Sequence, residues 1–264
     1  MKKILAILNL LSVVFVLAIN YLSQALRFNN TTIGELSNTY DNLFTPASYA
    51  FAIWGIIFLG LIAYSIYQIR NAFLSSKKAE FIEQTSYWFM IANLLNGCWV
   101  LAFVYEFTGL SVLIMIGILI SLLKIIINTN MERWDAPIGT IAFVWWPICL
   151  YSGWIAVATI ANISAYLSKI DWNGFGISEV SWTITMITIA VLLNIYMIIK
   201  RNMREFALVG AWALTAIYVR HNGDYTSIAY TAIIGAIILV LAAGVHGFLN
   251  RTTNPGKKLI ERFR

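Results

Sequence analysis

The chain has 264 residues, of which 60% are hydrophobic and 11% charged, and its mean hydropathy is +0.76. A soluble domain carries about 25% charged residues, so this composition excludes the ordinary soluble class and indicates an integral membrane protein of the all-α type. The apolar runs are too long and continuous for a membrane β-barrel. The formal net charge of +6 does not indicate a nucleic-acid partner, because the basic residues gather at the ends of the apolar runs.

Eight apolar runs predict eight transmembrane helices. The first, about residues 4–26, exceeds the core of a signal peptide and is followed by no cleavage pattern, so we expect it to be retained. The seventh run is short: as a helix it would be about 21 Å long, whereas the hydrocarbon core of a bilayer is about 30 Å thick. The second to eighth runs cover about residues 46–69, 86–105, 109–127, 143–166, 180–199, 206–219 and 227–249.

The basic residues predict the orientation of these spans. With both termini in the cytoplasm, the outer side carries only Arg27, Lys169 and Arg220. A positive bias toward the cytoplasm is the rule for such proteins, so we expect a multi-pass protein of a bacterial cytoplasmic membrane. The other fifteen basic residues then lie inside: Lys2, Lys3, Arg70, Lys77, Lys78, Lys124, Arg133, Lys200, Arg201, Arg204, Arg251, Lys257, Lys258, Arg262 and Arg264.

The fifth run, FVWWPICLYSGWIAVATIANISAY, carries a mixed stripe. Trp154, Ala158 and Asn162 are spaced i, i+4 and i+8, which places them on one side of a helix. Hydrocarbon offers an amide no partner, so this stripe should face other helices or a ligand. Taken alone, the stripe favours plain helix packing, with Ala allowing close approach and Asn hydrogen-bonding across.

Aromatic and amide residues also lie inside the second and third runs. Trp54 and Phe58 are i, i+4 neighbours, Tyr49 precedes them, and Asn96 lies one turn from Trp99. Aromatic rings with a few amides form pockets for flat apolar ligands. An aromatic core between helices is the alternative, and the residues alone leave both open.

No familiar catalytic arrangement is visible. The only histidines are His221 and His246, and the two cysteines, Cys98 and Cys149, lie inside apolar runs without further metal-ligand spacing. We therefore expect no metal and assign no catalytic residue. The apolar runs carry no charged residue near the middle of the bilayer, which disfavours a proton pump or an ion channel with a ring of charges. The sequence also has no clear internal repeat, which disfavours a transporter of the inverted-repeat kind.

Three segments resemble the tryptophan-rich sensory protein family (TspO/MBR), which includes the translocator protein or peripheral benzodiazepine receptor. TPASYAFAIWGIIF, residues 45–58, is similar to the Pro-Pro-x-Trp-x-Phe-x-x-x-Trp entry to the family's second helix. LNGCW, residues 95–99, is similar to Leu-Asn-x-x-Trp in its third helix. YSGWIAVATIAN, residues 151–162, is similar to Tyr-Leu-x-Trp-x-x-Phe-Ala-x-x-x-Asn in its fifth.

The resemblance implies a five-helix bundle, residues 1–166, whose pocket is closed by the loop between its first two helices. It is followed by a three-span segment, residues 167–250, without counterpart in the resemblance, and a basic cytoplasmic tail, residues 251–264. By matching position the pocket residues are Trp54, Phe58, Asn96, Trp154 and Ala158.

Some positions depart from the family pattern. The sequence has a single Pro46, Tyr49 in place of a Trp, and Val157 in place of a Phe. Because of these departures, the sequence supports the existence of the pocket more strongly than the identity of its ligand.

The leading hypothesis is a membrane receptor or carrier for a flat hydrophobic ligand, a porphyrin or haem above all. Trp54, Phe58, Trp99 and Trp154 would bury the ring, and the amides of Asn96 and Asn162 would orient its polar edges. A porphyrin-degrading enzyme that depends on light or an oxidant, and a small-molecule transporter, are the alternatives. We expect membrane lipid and a hydrophobic small molecule as partners, no bound cofactor beyond that ligand, and leave a homodimer open.

Overall fold

The computed structural model describes residues 1–40, 42–75 and 79–250, and these residues form helices, turns and irregular segments without a strand. The prediction of an all-α membrane protein is therefore confirmed. Lys77, Lys78 and the basic tail 251–264, which the sequence assigned to the cytoplasm, lie outside the described residues.

Eight long helices coincide with the eight predicted spans. In chain order they are α1 (Lys2–Leu26), α2 (Ile53–Phe73), α3 (Trp88–Val104), α4 (Thr108–Asn128), α5 (Trp146–Lys169), α6 (Glu179–Arg201), α7 (Arg204–His221) and α8 (Thr226–Leu249).

Among the described residues, six helical segments are long and apolar enough to cross a membrane. They contain α1, α2, α4, α5, α6 and α8, whereas α3 has 17 residues and α7 has 18. Large apolar side chains such as Leu59, Leu113 and Leu241 are exposed on these helices. A soluble protein would rarely tolerate so many, and hydrocarbon accommodates them.

The connection between α1 and α2 is partly helical. Thr32 caps the helix Ile33–Thr39 by accepting a hydrogen bond from the Glu35 N–H, and the Glu35 carboxylate accepts one from the Thr32 N–H. This reciprocal capping box satisfies two amide donors that the first helical turn would otherwise leave unpaired.

A π-helical turn, Ile141–Trp145, runs directly into α5. Pro147 explains its position, because proline has no N–H to bond to the carbonyl four residues earlier and its ring crowds that carbonyl. The wider turn absorbs this defect and lets the helix continue as α5.

The described chain divides into two compact units. Among the described residues, unit 1 comprises 1–40, 42–45, 51–75, 79–129 and 158–172, and unit 2 comprises 46–50, 130–157 and 173–250. In unit 1, α1 packs on α2 and α3, and α3 packs on α4. In unit 2, α6, α7 and α8 pack on one another.

Glycines permit close helix contacts in unit 2. A Cβ on Gly153 of α5 would lie 2.8 Å from the Phe206 carbonyl oxygen, and one on Gly210 of α7 would lie 2.7 Å from Asn194 Oδ1. Small residues at such crossings let membrane helices approach closely. Ten of the 18 residues of α7 are buried, so protein covers most of this short helix.

Candidate functional site

The centre of unit 1 is a hydrogen-bonded group from three helices. The Trp99 indole Nε1 on α3 donates to Asn162 Oδ1 on α5 at 2.6 Å. The same amide donates through Nδ2 to Ser111 Oγ on α4 at 2.9 Å, and Ser111 Oγ lies 3.3 Å from Asn162 Oδ1. Asn162 is only 4% exposed, so its amide is held by protein groups that fix the Trp99 ring.

A series of amides continues along α1 and α3. Asn20 Nδ2 donates to Asn96 Oδ1 at 3.2 Å, and Asn93 Nδ2 donates to Ser12 Oγ at 3.1 Å. Asn96 and Asn93 are buried. Within the part of the chain that the structure describes, Asn93 Oδ1 is buried without a hydrogen-bond partner. A buried acceptor of this kind is costly unless a water or a ligand satisfies it.

Two of the stacked aromatic pairs in unit 1 include predicted site residues. The rings of Trp54 and Phe58 on α2 have centroids 5.2 Å apart and planes 25° apart. Trp99 stacks on Phe103 in the same way, at 5.2 Å and 19°. Trp99 is buried, whereas Trp54 and Phe58 are half-buried and keep ring surface uncovered.

The remaining predicted residues fall in both units. Ala158 is half-buried and belongs to unit 1, whereas Tyr49 and Trp154 belong to unit 2. Tyr49 is exposed and meets Trp212 edge-on at 5.3 Å between centroids. Trp154 is 3% exposed, so protein covers its ring. Unit 1 therefore brings together Asn162 with Trp99 and Trp54 with Phe58.

The α1–α2 connection is fastened to the end of unit 1 at which α3 ends. Asn29 Nδ2 donates to the Val104 carbonyl at 2.9 Å, and the Tyr40 hydroxyl donates to Glu106 Oε2. Lys169 Nζ donates to the Glu106 carbonyl at 2.7 Å and lies 5.2 Å from the centroid of the Tyr40 ring. Burial, together with the Glu106 carboxylate, raises the pKa of Tyr40, so its hydroxyl remains a donor.

Unit 2 contains a cavity that the sequence did not predict. Its volume is about 260 Å³. Burial, and then the charge of Glu205, raise the pKa of Glu132 on its wall to about 8. Among its lining residues are Glu132, Trp134, Trp145, Asn202, Arg204 and His246.

No spacing rule could have revealed this cavity, because its walls come from the α4–α5 connection and the ends of three helices. The acidic and basic residues of the NTNMERWDAPIG connection are the one local signal, and by themselves they are typical of an ordinary surface loop.

Comparison with known proteins gave one match. A family model described as TSPO-like protein matches residues 6–245. The match therefore extends beyond residue 166, over α6, α7 and most of α8, where the three sequence motifs had given no resemblance. No curated protein and no solved structure matches the chain at a significant level.

Proposed function

Because this chain belongs to the TSPO-like protein family, we propose that it is a receptor or carrier that binds a flat hydrophobic ligand, with porphyrins as the first candidates. The family supports ligand binding or transport in the membrane as the general class of function. The ligand and the choice between binding and transport are our proposal.

The observation that carries the proposal is the hydrogen bond from Trp99 to Asn162. It joins two of the three family-like segments, LNGCW on α3 and YSGWIAVATIAN on α5, in the interior of unit 1. The Trp99 indole cannot turn freely, because it donates to the buried Asn162 amide, which Ser111 in turn holds. An aromatic ring that is already fixed loses less conformational entropy on binding than a mobile one. This favours recognition of a rigid planar ring.

The half-buried pair Trp54 and Phe58 is the contact surface that we propose for the ligand. Its stacked rings present apolar area that protein leaves partly uncovered. Stacking on Trp is favourable for any flat π-system. Ala158, small and half-buried, leaves room on α5 that a larger side chain would fill.

The polar groups have two distinct roles in this proposal. Asn162 and Asn96 are bonded to Trp99 and Asn20, so they hold the walls in place. Asn93 Oδ1 has no partner among the described residues and can accept a hydrogen bond from a ligand N–H or from a water.

Porphyrin titration of the purified full chain in lipid nanodiscs tests the proposal, with quenching of Trp fluorescence as the readout. We expect saturable binding that Trp54→Ala weakens about tenfold or more, the size of a moderate hot spot. The matched control is Trp88→Ala, since Trp88 is also half-buried and begins α3. Equal losses in both variants, or no saturable binding, would contradict a site at Trp54.

Two further readouts separate the alternatives. A new absorbing product formed only under light or an oxidant indicates the degrading enzyme. Uptake of porphyrin into sealed vesicles by the wild-type chain indicates a transporter.

A further inference from the structure

Three side chains of residue types that can ligate metals lie close together in unit 2. A carboxylate oxygen of Glu132, the Sγ of Cys149 and a carboxylate oxygen of Glu205 all lie within 4.8 Å of one another. They come from the α4–α5 connection, the first turn of α5 and the first turn of α7. Their convergence depends on tertiary packing and leaves no motif in the sequence.

Cys149 is buried and the two glutamates are half-buried, each with one carboxylate oxygen shielded from water. Cys149 is fully buried, and its thiol has Met131 Sδ as a weak contact at 3.9 Å. Among residues 1–40, 42–75 and 79–250, the buried atoms Glu132 Oε1 and Glu205 Oε2 have no hydrogen-bond partner. Buried carboxylate oxygens are normally paired or bound to a metal, because their desolvation is costly.

The three ionised ligands and Arg204 leave a charge that a divalent ion would balance. Arg204, beside Glu205 in the chain, lines the same cavity as Glu132 and supplies one positive charge. Two carboxylates and a thiolate carry three negative charges. A divalent ion together with Arg204 balances them.

The donor set selects the kind of ion. Mg²⁺ and Ca²⁺ are bound through oxygen ligands, whereas a thiolate favours softer ions such as Zn²⁺. Zinc is usually tetrahedral, and three protein ligands with a fourth exchangeable one form the arrangement of open zinc sites. The cavity of about 260 Å³ beside Glu132 gives room for a water in that fourth position.

We infer that Glu132, Cys149 and Glu205 bind a divalent transition metal of the zinc class. On binding, the S–H bond of Cys149 breaks, and its proton passes to solvent together with any proton held by the two carboxyl groups. The thiolate sulfur and the carboxylate oxygens then each donate an electron pair to the ion. His246 Nδ1, buried on the cavity side and without a partner in the described part of the chain, is available to a water on the metal. The inference does not depend on the proposed porphyrin site.

Cobalt substitution tests this inference. The purified full chain is stripped with a chelator, returned to nanodiscs and titrated with Co²⁺. We expect one ion per chain and a sulfur-to-cobalt charge-transfer band in the near ultraviolet, which Zn²⁺ then abolishes stoichiometrically. This band reports a thiolate ligand in the wild-type chain and so does not depend on a variant that folds.

Single substitutions assign the ligands. Cys149→Ser should abolish the charge-transfer band, and Cys98→Ser, at the exposed second cysteine, should leave it unchanged. Glu132→Gln and Glu205→Gln keep the shape of the side chain but remove its charge. Each should weaken Co²⁺ binding by at least ~100-fold, because loss of a residue that only orients a metal ligand already costs up to about 100-fold in affinity. Melting of each metal-free variant beside the metal-free wild type verifies the fold.

Two results would overturn the assignment. One is a wild-type chain that takes up no Co²⁺ or Zn²⁺ at one ion per chain. The other is a charge-transfer band that survives in Cys149→Ser or disappears in Cys98→Ser.

Discussion

Trp99 donates its indole hydrogen bond to Asn162 across 63 positions of sequence, and at 2.6 Å the contact is short for an N–H···O bond. Asn162 has a second partner in Ser111. One amide thus binds α3 and α4 to α5, and the orientation of the Trp99 ring depends on it.

Loss of this amide should destabilise the bundle. Asn162→Ala leaves the buried Trp99 N–H and Ser111 hydroxyl without their partner, so we expect a loss of about 1–3 kcal/mol in unfolding free energy. Trp99→Phe removes the donor from the same contact. A double-mutant cycle on the pair should show coupling of about 0.5–3 kcal/mol. Strictly additive effects would mean that the hydrogen bond does not couple the two helices.

The fastening of the α1–α2 connection predicts a change in dynamics. Tyr40→Phe removes the hydroxyl that bonds to Glu106 but keeps the ring beside Lys169. We expect faster hydrogen exchange over residues 27–40 and faster release of bound porphyrin. The control is Glu35→Gln, which breaks the ion pair with Arg27 inside the connection while Gln still serves the capping box. Equal exchange in both variants would argue against Tyr40 as the fastening point.

The surroundings of two glycines, Gly153 in unit 2 and Gly55 in unit 1, predict opposite outcomes of substitution by alanine. In Gly153→Ala the new Cβ would lie 2.8 Å from the Phe206 carbonyl oxygen, and backbone cannot yield easily, so we expect a loss of about 1–3 kcal/mol. In Gly55→Ala nothing lies within 4 Å of the new Cβ. That change should be neutral or should stabilise α2 by up to about 1 kcal/mol. Thermal melts of the two variants give the comparison, and equal destabilisation would refute the packing argument.

The charge bias predicts the orientation. Reporter fusions after Arg201 and after the C-terminus should both report the cytoplasm, and a fusion after Lys169 should report the outer side. Arg201 is the last residue of α6, and Lys169 is the last residue of α5. A cytoplasmic signal at Lys169 would overturn both the orientation and the count of eight spans.

The helices were predictable because their signal is local. Apolar runs give the ends of α1 to α8 within about four residues, except that α2 begins at Ile53 and not at about residue 46. A membrane span must pair its own backbone groups, so a continuous apolar run indicates a helix. The helix Ile33–Thr39 was missed although Thr32-x-x-Glu35 is a capping-box signature. The π-helical turn before Pro147 was also missed, because proline in a span indicates a defect without specifying its form.

The contacts within the site were less predictable than the residues themselves. Trp99, Asn162 and Asn96 stood out as polar or aromatic residues inside spans, yet their partners Ser111 and Asn20 carry no distinctive signal. Glu132, Cys149 and Glu205 likewise come together without a local signal in the sequence. Side chains distant in the sequence meet only after the helices pack, and spacing along one helix contains no information on that.

The central claim, that unit 1 recognises a flat ligand and is more than packed helices, is tested most directly by Ala158→Leu. Leu suits the bilayer and fills space beside α5, so we expect porphyrin affinity to fall at least about tenfold with an unchanged melting temperature. Ala156→Leu is the control, because Ala156 is also half-buried and lies about 160° around the same helix. Normal porphyrin affinity in Ala158→Leu together with a lowered melting temperature would contradict the account and assign this stripe to helix packing.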